Sequence, residues 1–172
     1  MQKTILTYGF LSGAVAAVLM LGMTLYLYQT NNFEGGEVVG YAGILLSMLF
    51  VYVGTRSYRE QQGGTISFGK AFQVSMAIAL ISCACYVVAW LLVYQNLMPD
   101  FIDKFAQLSM DKMKREGATE AQITAAAAEM AHFKEMYKNP LFRAAITFIE
   151  PLPVGLLVSL VSSFLLRRKE KF

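Results

Sequence analysis

The sequence has few of the side chains from which reactive centres are built. Among 172 residues there are one histidine, His132, and two cysteines, Cys83 and Cys85. A protein zinc site needs three or four converging ligands, and an activated nucleophile needs a base within reach. The sequence contains no metal-ligand spacing, no Ser–His pair and no paired intramembrane acids. We therefore expect no catalytic residues, no bound metal, no cofactor and no enzymatic activity.

The two cysteines also give no reason to expect a disulfide. They lie two positions apart in an apolar stretch, where a helix turns their side chains about 200° away from each other. We expect both to be small packing residues with protonated thiols.

Charge is missing from long stretches, and apolar residues take its place. Hydrophobic residues make up 56% of the chain, and the mean hydropathy is +0.46. A helix needs about 20 mostly apolar residues to cross a bilayer. The runs that meet or approach this length are 5–28, 38–55, 71–94 and 144–166, of which only the fourth contains a charge. The sequence predicts an all-α membrane protein with four transmembrane helices, forming a single four-span domain over residues 1–172.

A more polar stretch joins the third and fourth spans. Phe101, Phe105 and Leu108 recur at helical spacing, and Gly117 interrupts the pattern. Thr119 and Gln122 form a capping box that opens a second helix. We expect an amphipathic helical hairpin at about 99–138, ended by Asn139-Pro140. Its apolar face would pack between the two arms, lie on the outer leaflet or dock a partner.

Basic residues predict the orientation, because lysine and arginine in short loops mark the cytoplasmic side. Eight of the fifteen lie at Lys3, between spans two and three, and in the tail, whereas the first loop has only the acids Glu34 and Glu37. The other seven lie in the stretch 95–143, where seven acids balance them. We expect both termini inside and the hairpin outside. The net charge of +3 gathers at membrane edges, which favours contact with the lipid bilayer and not with nucleic acid.

Small residues recur four apart in each span, which returns them to nearly the same helix face. We expect them to form the packing seams of a tight bundle. They are Gly9, Gly13 and Ala17; Gly36 and Gly40, with Gly43 nearby; Ala71, Ser75, Ala79 and Cys83; and Gly155, Ser159 and Ser163.

The candidate functional site is Glu150 with Pro151 and Pro153, inside the fourth span. A carboxylate at this depth is costly unless it is paired or protonated. The prolines remove two helical N–H donors, so the helix should bend or break beside the acid. Glu150 is either a structural acid, bonded to a tyrosine hydroxyl or to Arg143, or a site for an ion, a proton or a ligand.

A second segment of interest is the cytoplasmic loop with the entry to span three, marked by Gly63, Gly64 and Lys70. The glycines permit a tight turn, and we expect Lys70 to extend to the headgroups. Ser67 and Lys70 match the S-x-x-K motif of serine acyltransferases, but its companion motifs are missing.

The segments Gly63-Gly64-Thr65-Ile66-Ser67-Phe68-Gly69-Lys70-Ala71-Phe72 and Thr147-Phe148-Ile149-Glu150-Pro151-Leu152-Pro153-Val154-Gly155-Leu156, with Asn139-Pro140, are shared with a known family. The chain resembles, over nearly its whole length, the bacterial membrane family called domain of unknown function 4199. The resemblance implies the cytoplasmic (inner) membrane of Gram-negative bacteria and a periplasmic hairpin. It assigns no activity and no functional residues.

These observations favour a structural or accessory membrane protein, associated with further copies of itself or with another membrane protein. The alternative is a small proton- or ion-coupled carrier that uses Glu150 at the proline-broken span.

Overall fold

The computed structural model describes residues 1–30 and 36–168, without the side chain of Glu37. The predictions that concern Glu34, Lys169 and Lys171 lie outside these residues. Within them the chain forms seven α-helices. They are α1 (Gln2–Thr30), α2 (Gly36–Gln61), α3 (Phe68–Asn96), α4 (Phe101–Arg115), α5 (Glu120–Tyr137), α6 (Pro140–Ile149) and α7 (Leu152–Leu166).

Four segments are long and apolar enough to cross a membrane: Gln2–Thr30, Val38–Gln61, Phe68–Asn96 and Pro140–Leu166. The fourth combines α6 and α7, and α4 and α5 form the hairpin between spans three and four. The predicted fold class is therefore confirmed. The helices run beyond the apolar stretches because polar residues such as Arg56 and Arg59 continue the helix where it leaves the hydrocarbon.

Two contacts define the ends of the bundle. Thr4 at the start of α1 donates a hydrogen bond to Gln61 at the end of α2, at 3.2 Å. Ile66, between α2 and α3, forms an antiparallel bridge with Arg168, with N–O distances of 3.1 and 3.0 Å. The start of α1, the α2–α3 loop and the end of α7 thus share one end, called here the terminal end. The hairpin lies at the other, the hairpin end.

Helix α3 is the centre of the bundle and packs against α1, α2, α6 and α7. Its predicted seam is confirmed, since its members Ala71, Ser75, Ala79 and Cys83 are fully buried. On α1, a Cβ added to Gly9 would lie 2.8 Å from Ile81 of α3. On α7, a Cβ at Gly155 would lie 3.3 Å from Ala79. Small side chains on α1, α3 and α7 thus let these helices approach closely.

The seam predicted for α2 is wrong at Gly40. A Cβ there would have nothing within 4 Å. The close approach is made instead by Gly54, where an added Cβ would lie 2.7 Å from both Tyr8 of α1 and Ile78 of α3. The four-residue spacing identified a repeat of small residues but not the face that α2 turns toward its neighbours.

Hydroxyl groups inside the bundle bond across helices. Ser12 of α1 donates to the Ser47 carbonyl of α2 at 2.8 Å, and its hydroxyl oxygen lies 2.9 Å from the Ser82 hydroxyl of α3, which can donate to it. Thr55 of α2 and Ser75 of α3 lie 2.8 Å apart. Such intramembrane bonds contribute on average about 0.6 kcal/mol each. Their geometry fixes the relative heights of α1, α2 and α3.

Both cysteines are free thiols, as predicted. Cys83 is fully buried in the α3 seam. Cys85 packs against α1 at Gly13, where an added Cβ would overlap the cysteine Cβ.

We expect Gly54→Ala to lower the free energy of unfolding by about 1–3 kcal/mol, because the added methyl group overpacks the junction of α1, α2 and α3. Gly40→Ala is the matched control on the same helix, and it should leave stability nearly unchanged. Thermal loss of helicity in detergent measures both. Equal effects of the two substitutions would contradict this packing arrangement.

Candidate functional site

The fourth span is interrupted beside its acid, as the prolines predict. Helix α6 ends at Ile149 and α7 begins at Leu152. Pro151 and Pro153 cannot donate N–H groups to the carbonyls of Thr147 and Ile149. Yet Glu150 (φ −61, ψ −56) and Pro151 (φ −80, ψ −16) keep right-handed helical angles. The span therefore changes hydrogen bonding at the junction without unwinding.

The depth of Glu150 follows from its partner on α3. The Tyr86 hydroxyl donates to the Glu150 carboxylate at 3.3 Å. Tyr86 lies four residues, or about 6 Å, beyond Ser82, the midpoint of α3, toward the hairpin end. A hydrocarbon layer about 30 Å thick and centred on Ser82 would extend about 9 Å beyond Tyr86. The carboxylate is therefore on the hairpin side of the middle of the bundle.

Glu150 stands at the edge of the bundle and not in its interior. The residue is exposed on the protein surface, whereas Tyr86 is 8% exposed and Pro151 is buried. Of the two partners considered for a structural acid, the tyrosine hydroxyl is the one observed. Arg143 lies nearer the hairpin end, where its guanidinium is 4.3 Å from the centre of the Tyr94 ring.

The helix ends at the junction contribute little net charge at Glu150. Glu150 caps the C-terminal end of α6 and precedes the N-terminal end of α7. The partial charges of these two helix ends are opposite and offset each other. The hydrogen bond from Tyr86 is therefore the specific interaction that holds the carboxylate.

Aromatic residues form a cluster between the bundle and the hairpin. The Trp90 indole donates to the Tyr137 hydroxyl at 2.7 Å, and Phe101 packs edge-on against Trp90 at 5.0 Å. Tyr94 and Tyr137 meet edge to face at 5.3 Å. Burial raises the pKa of Tyr137, opposed by hydrogen bonds from Trp90 and Thr147. The sequence did not predict this cluster, because its members come from three helices, α3, α4 and α5.

A second set of contacts, the hairpin clasp, joins α1 to the start of α4. The Tyr28 hydroxyl donates to Asp100 at 2.8 Å. The Lys104 ammonium lies 3.6 Å above the Tyr28 ring and 3.5 Å from Asp100. The hydrogen bond from Tyr28 is the main reason that the pKa of Asp100 is lowered. The hairpin is thus attached to α1 by this clasp and to α3 by the aromatic cluster.

The hairpin itself has the predicted elements but a different inward face on α4. Thr119 and Gln122 form the predicted capping box. On α4, Ile102 is buried at 5% exposure, whereas Phe105 is 36% exposed. The predicted face of Phe101, Phe105 and Leu108 is therefore not the one that α4 buries best. Across the hairpin, Lys134 pairs with Asp103, which raises the pKa of Lys134.

The loop at the terminal end makes the tight turn that its glycines predict. Gly63 and Gly64 have φ angles of +79° and +83°, a region that favours glycine. Ser67 caps α3 by accepting the Lys70 backbone N–H at 3.3 Å, and the Lys70 ammonium donates to Gln73 at 3.0 Å. Ser67 and Lys70 therefore begin a helix, and they lie on the opposite side of the midplane from Glu150.

The structure brings no metal-binding set together in the part of the chain that it describes. Over residues 1–30 and 36–168, no three His, Cys, Asp or Glu side chains are placed to hold an ion. His132 lies on the exposed side of α5.

Four apolar spans with hydroxyls bonded inside the bundle define a multi-pass α-helical membrane protein. Residues 7–168 match the family model described as Protein of unknown function (DUF4199), and the chain belongs to this family. No curated protein and no solved structure matches the chain.

The clasp yields a pH prediction. The pKa of Asp100 is lowered in the folded protein. Its ionised carboxylate therefore stabilises the clasp fully above about pH 3.8, the ordinary pKa of the group, and this stabilisation is lost as the pH falls below that value. Asp100→Asn should loosen the start of α4 at neutral pH in the same way that acid does. Faster hydrogen exchange at the first turns of α4 would show this.

Asp111→Asn is the control. Asp111 is also an acid of α4, but its nearby cation is Lys114, 3.9 Å away on the same helix, and it takes no part in the clasp. If Asp100→Asn leaves the hydrogen-exchange protection of α4 unchanged, the clasp does not hold the start of that helix.

Proposed function

We propose that this protein is a structural or accessory component of the bacterial inner membrane, and that it acts by contact and not by enzymatic chemistry. The proposed partner is a second copy of the chain or another membrane protein, reached through the α4–α5 hairpin. The observation that carries the proposal is the incomplete burial of the hairpin's apolar faces.

An open groove with a volume of about 540 Å³ lies between helices α4 and α5. Its apolar lining consists of Ile102, Ala106, Met110, Ala127, Met130 and Ala131. Of the residues of α5, only Tyr137 is fully buried. An amphipathic helix is stable when its apolar face is covered. A groove that its own two helices leave open supports a contact role for the hairpin.

The proposed orientation has both termini in the cytoplasm. It is supported by the basic residues of the terminal end, Lys3, Arg56, Arg59, Lys70, Arg167 and Arg168. Lysine and arginine near span ends are retained on the cytoplasmic side of the inner membrane. The hairpin is then periplasmic.

A photo-crosslinking residue at Ala127, an exposed position in the groove, should capture a protein partner in intact cells. The same residue at Leu157, an exposed apolar position of α7, should give mainly the uncrosslinked chain because it faces lipid. Electrophoresis and mass spectrometry of the products, after extraction in mild detergent, identify a second copy or another protein. A lone monomer from both positions would refute the contact role.

A second function is favoured by one observation, the Tyr86–Glu150 hydrogen bond at the junction of α6 and α7. We propose as the alternative a proton- or ion-coupled carrier in which Glu150 takes up the ion. Acids at interrupted spans serve this purpose in ion-coupled transporters. The supporting geometry is a carboxylate inside the hydrocarbon layer, exposed at the edge of the bundle and held by one hydroxyl.

For the carrier, vesicles reconstituted with the protein should show a proton flux with a pH-sensitive dye. Glu150→Gln should abolish that flux while keeping helicity, because the amide cannot ionise. Asp111→Asn, an exposed acid of the hairpin, should leave it unchanged. A flux that survives Glu150→Gln would rule out this carrier.

A further inference from the structure

The terminal end concentrates positive charge. Among the described residues, Glu60 is its only acid, beside the basic residues Lys3, Arg56, Arg59, Lys70, Arg167 and Arg168. Some of this charge is already engaged. Arg56 donates to Glu60 at 2.9 Å, and Lys70 donates to Gln73 at 3.0 Å. Arg59 differs from these two residues in its burial and in its hydrogen bonding.

The Arg59 side chain is 13% exposed, against 58% for Arg56 one turn earlier. Its Nε atom is buried and has no hydrogen-bond partner. Its Nη2 atom lies 3.8 Å from Glu60, beyond hydrogen-bonding distance. A buried donor without an acceptor costs free energy. An anion beside the exposed part of this guanidinium would offset part of that cost by its charge.

The backbone around Arg59 is held in place. The Gly64 N–H donates to the Arg59 carbonyl at 3.0 Å, which folds the α2–α3 loop back onto the end of α2. Two residues further, Ile66 is bridged to Arg168. The same loop is thus bonded through its backbone to Arg59 at the end of α2 and to the exposed Arg168 beyond α7.

The depth of Arg59 points to a lipid. Arg59 lies about ten residues, or about 15 Å, from the middle of α2, which is half the thickness of the hydrocarbon layer. Lipid phosphates lie just outside that boundary. About two and three turns deeper on the same helix, Val53 and Leu49 are exposed apolar side chains that acyl chains can contact.

We propose that Arg59 is the centre of a binding site for the phosphate of an anionic glycerophospholipid in the leaflet at the terminal end. The exposed part of the planar guanidinium can donate paired hydrogen bonds to phosphate oxygens. Arg168 supplies further positive charge from the end of α7. This site is independent of the hairpin and of Glu150.

The test uses the full chain, stripped of lipid in detergent, and follows thermal loss of helicity. Phosphatidylglycerol should raise the melting temperature in a saturable way, whereas phosphatidylethanolamine and inorganic phosphate should not. Arg59→Gln should weaken the apparent affinity for phosphatidylglycerol by about tenfold or more, since it removes a charge-assisted pair. Arg56→Gln is the matched control and should retain the affinity.

If Arg59→Gln and Arg56→Gln weaken the affinity for phosphatidylglycerol equally, the lipid is attracted by the overall surface charge and not by a site at Arg59, and the proposal is overturned. An equal shift with inorganic phosphate would show a site for soluble anions, and no shift with phosphatidylglycerol would show no site. If Arg59→Gln fails to fold, Arg59→Lys provides the test. It keeps the charge but loses the paired hydrogen bonds, so unchanged affinity in that variant would also overturn the proposal.

Discussion

Inside hydrocarbon, polar groups must find partners within the protein, and the structure depends on this constraint. Long helices satisfy their own backbones. Side-chain hydroxyls then bond to other helices, as Ser12 does with Ser82 and Thr55 with Ser75. These bonds need close backbone approach, which Gly9, Gly54 and other small residues of the bundle permit. Close packing and internal hydrogen bonding therefore support each other throughout the bundle.

The fourth span is where this constraint is met least completely. Pro151 and Pro153 remove helical donors, and Glu150 places a carboxylate within the hydrocarbon layer. The helical backbone angles at the junction limit the disruption to a few hydrogen bonds. Tyr86, anchored in the central helix, supplies the hydroxyl that the carboxylate needs. The arrangement suits either a structural tether between α3 and the fourth span or an ion-binding group.

The two ends of the bundle use different chemistry. At the hairpin end, Trp90, Tyr94, Phe101 and Tyr137 join the membrane helices to the hairpin through rings that have both apolar and polar parts. At the terminal end, arginines and lysines surround a loop whose backbone is hydrogen-bonded to the end of α2 and to Arg168. The first end presents a groove between the two helices of the hairpin, and the second presents a concentration of positive charge. Protein contact is thus proposed at the hairpin end and lipid contact at the terminal end.

Local patterns in the sequence determined the four spans, the helical hairpin, the Thr119 capping box, the Gly63-Gly64 turn and the interruption at Pro151, because each depends on neighbouring residues alone. The tertiary structure decided which faces meet. It placed Gly54 and not Gly40 at a helix contact, buried Ile102 in preference to Phe105, joined Trp90 to Tyr137 and left Arg59 without an acceptor for Nε. The physical reason is that a helix repeats nearly every four residues, so spacing defines a stripe. The rotation of that stripe about the helix axis is set only by packing against the other helices.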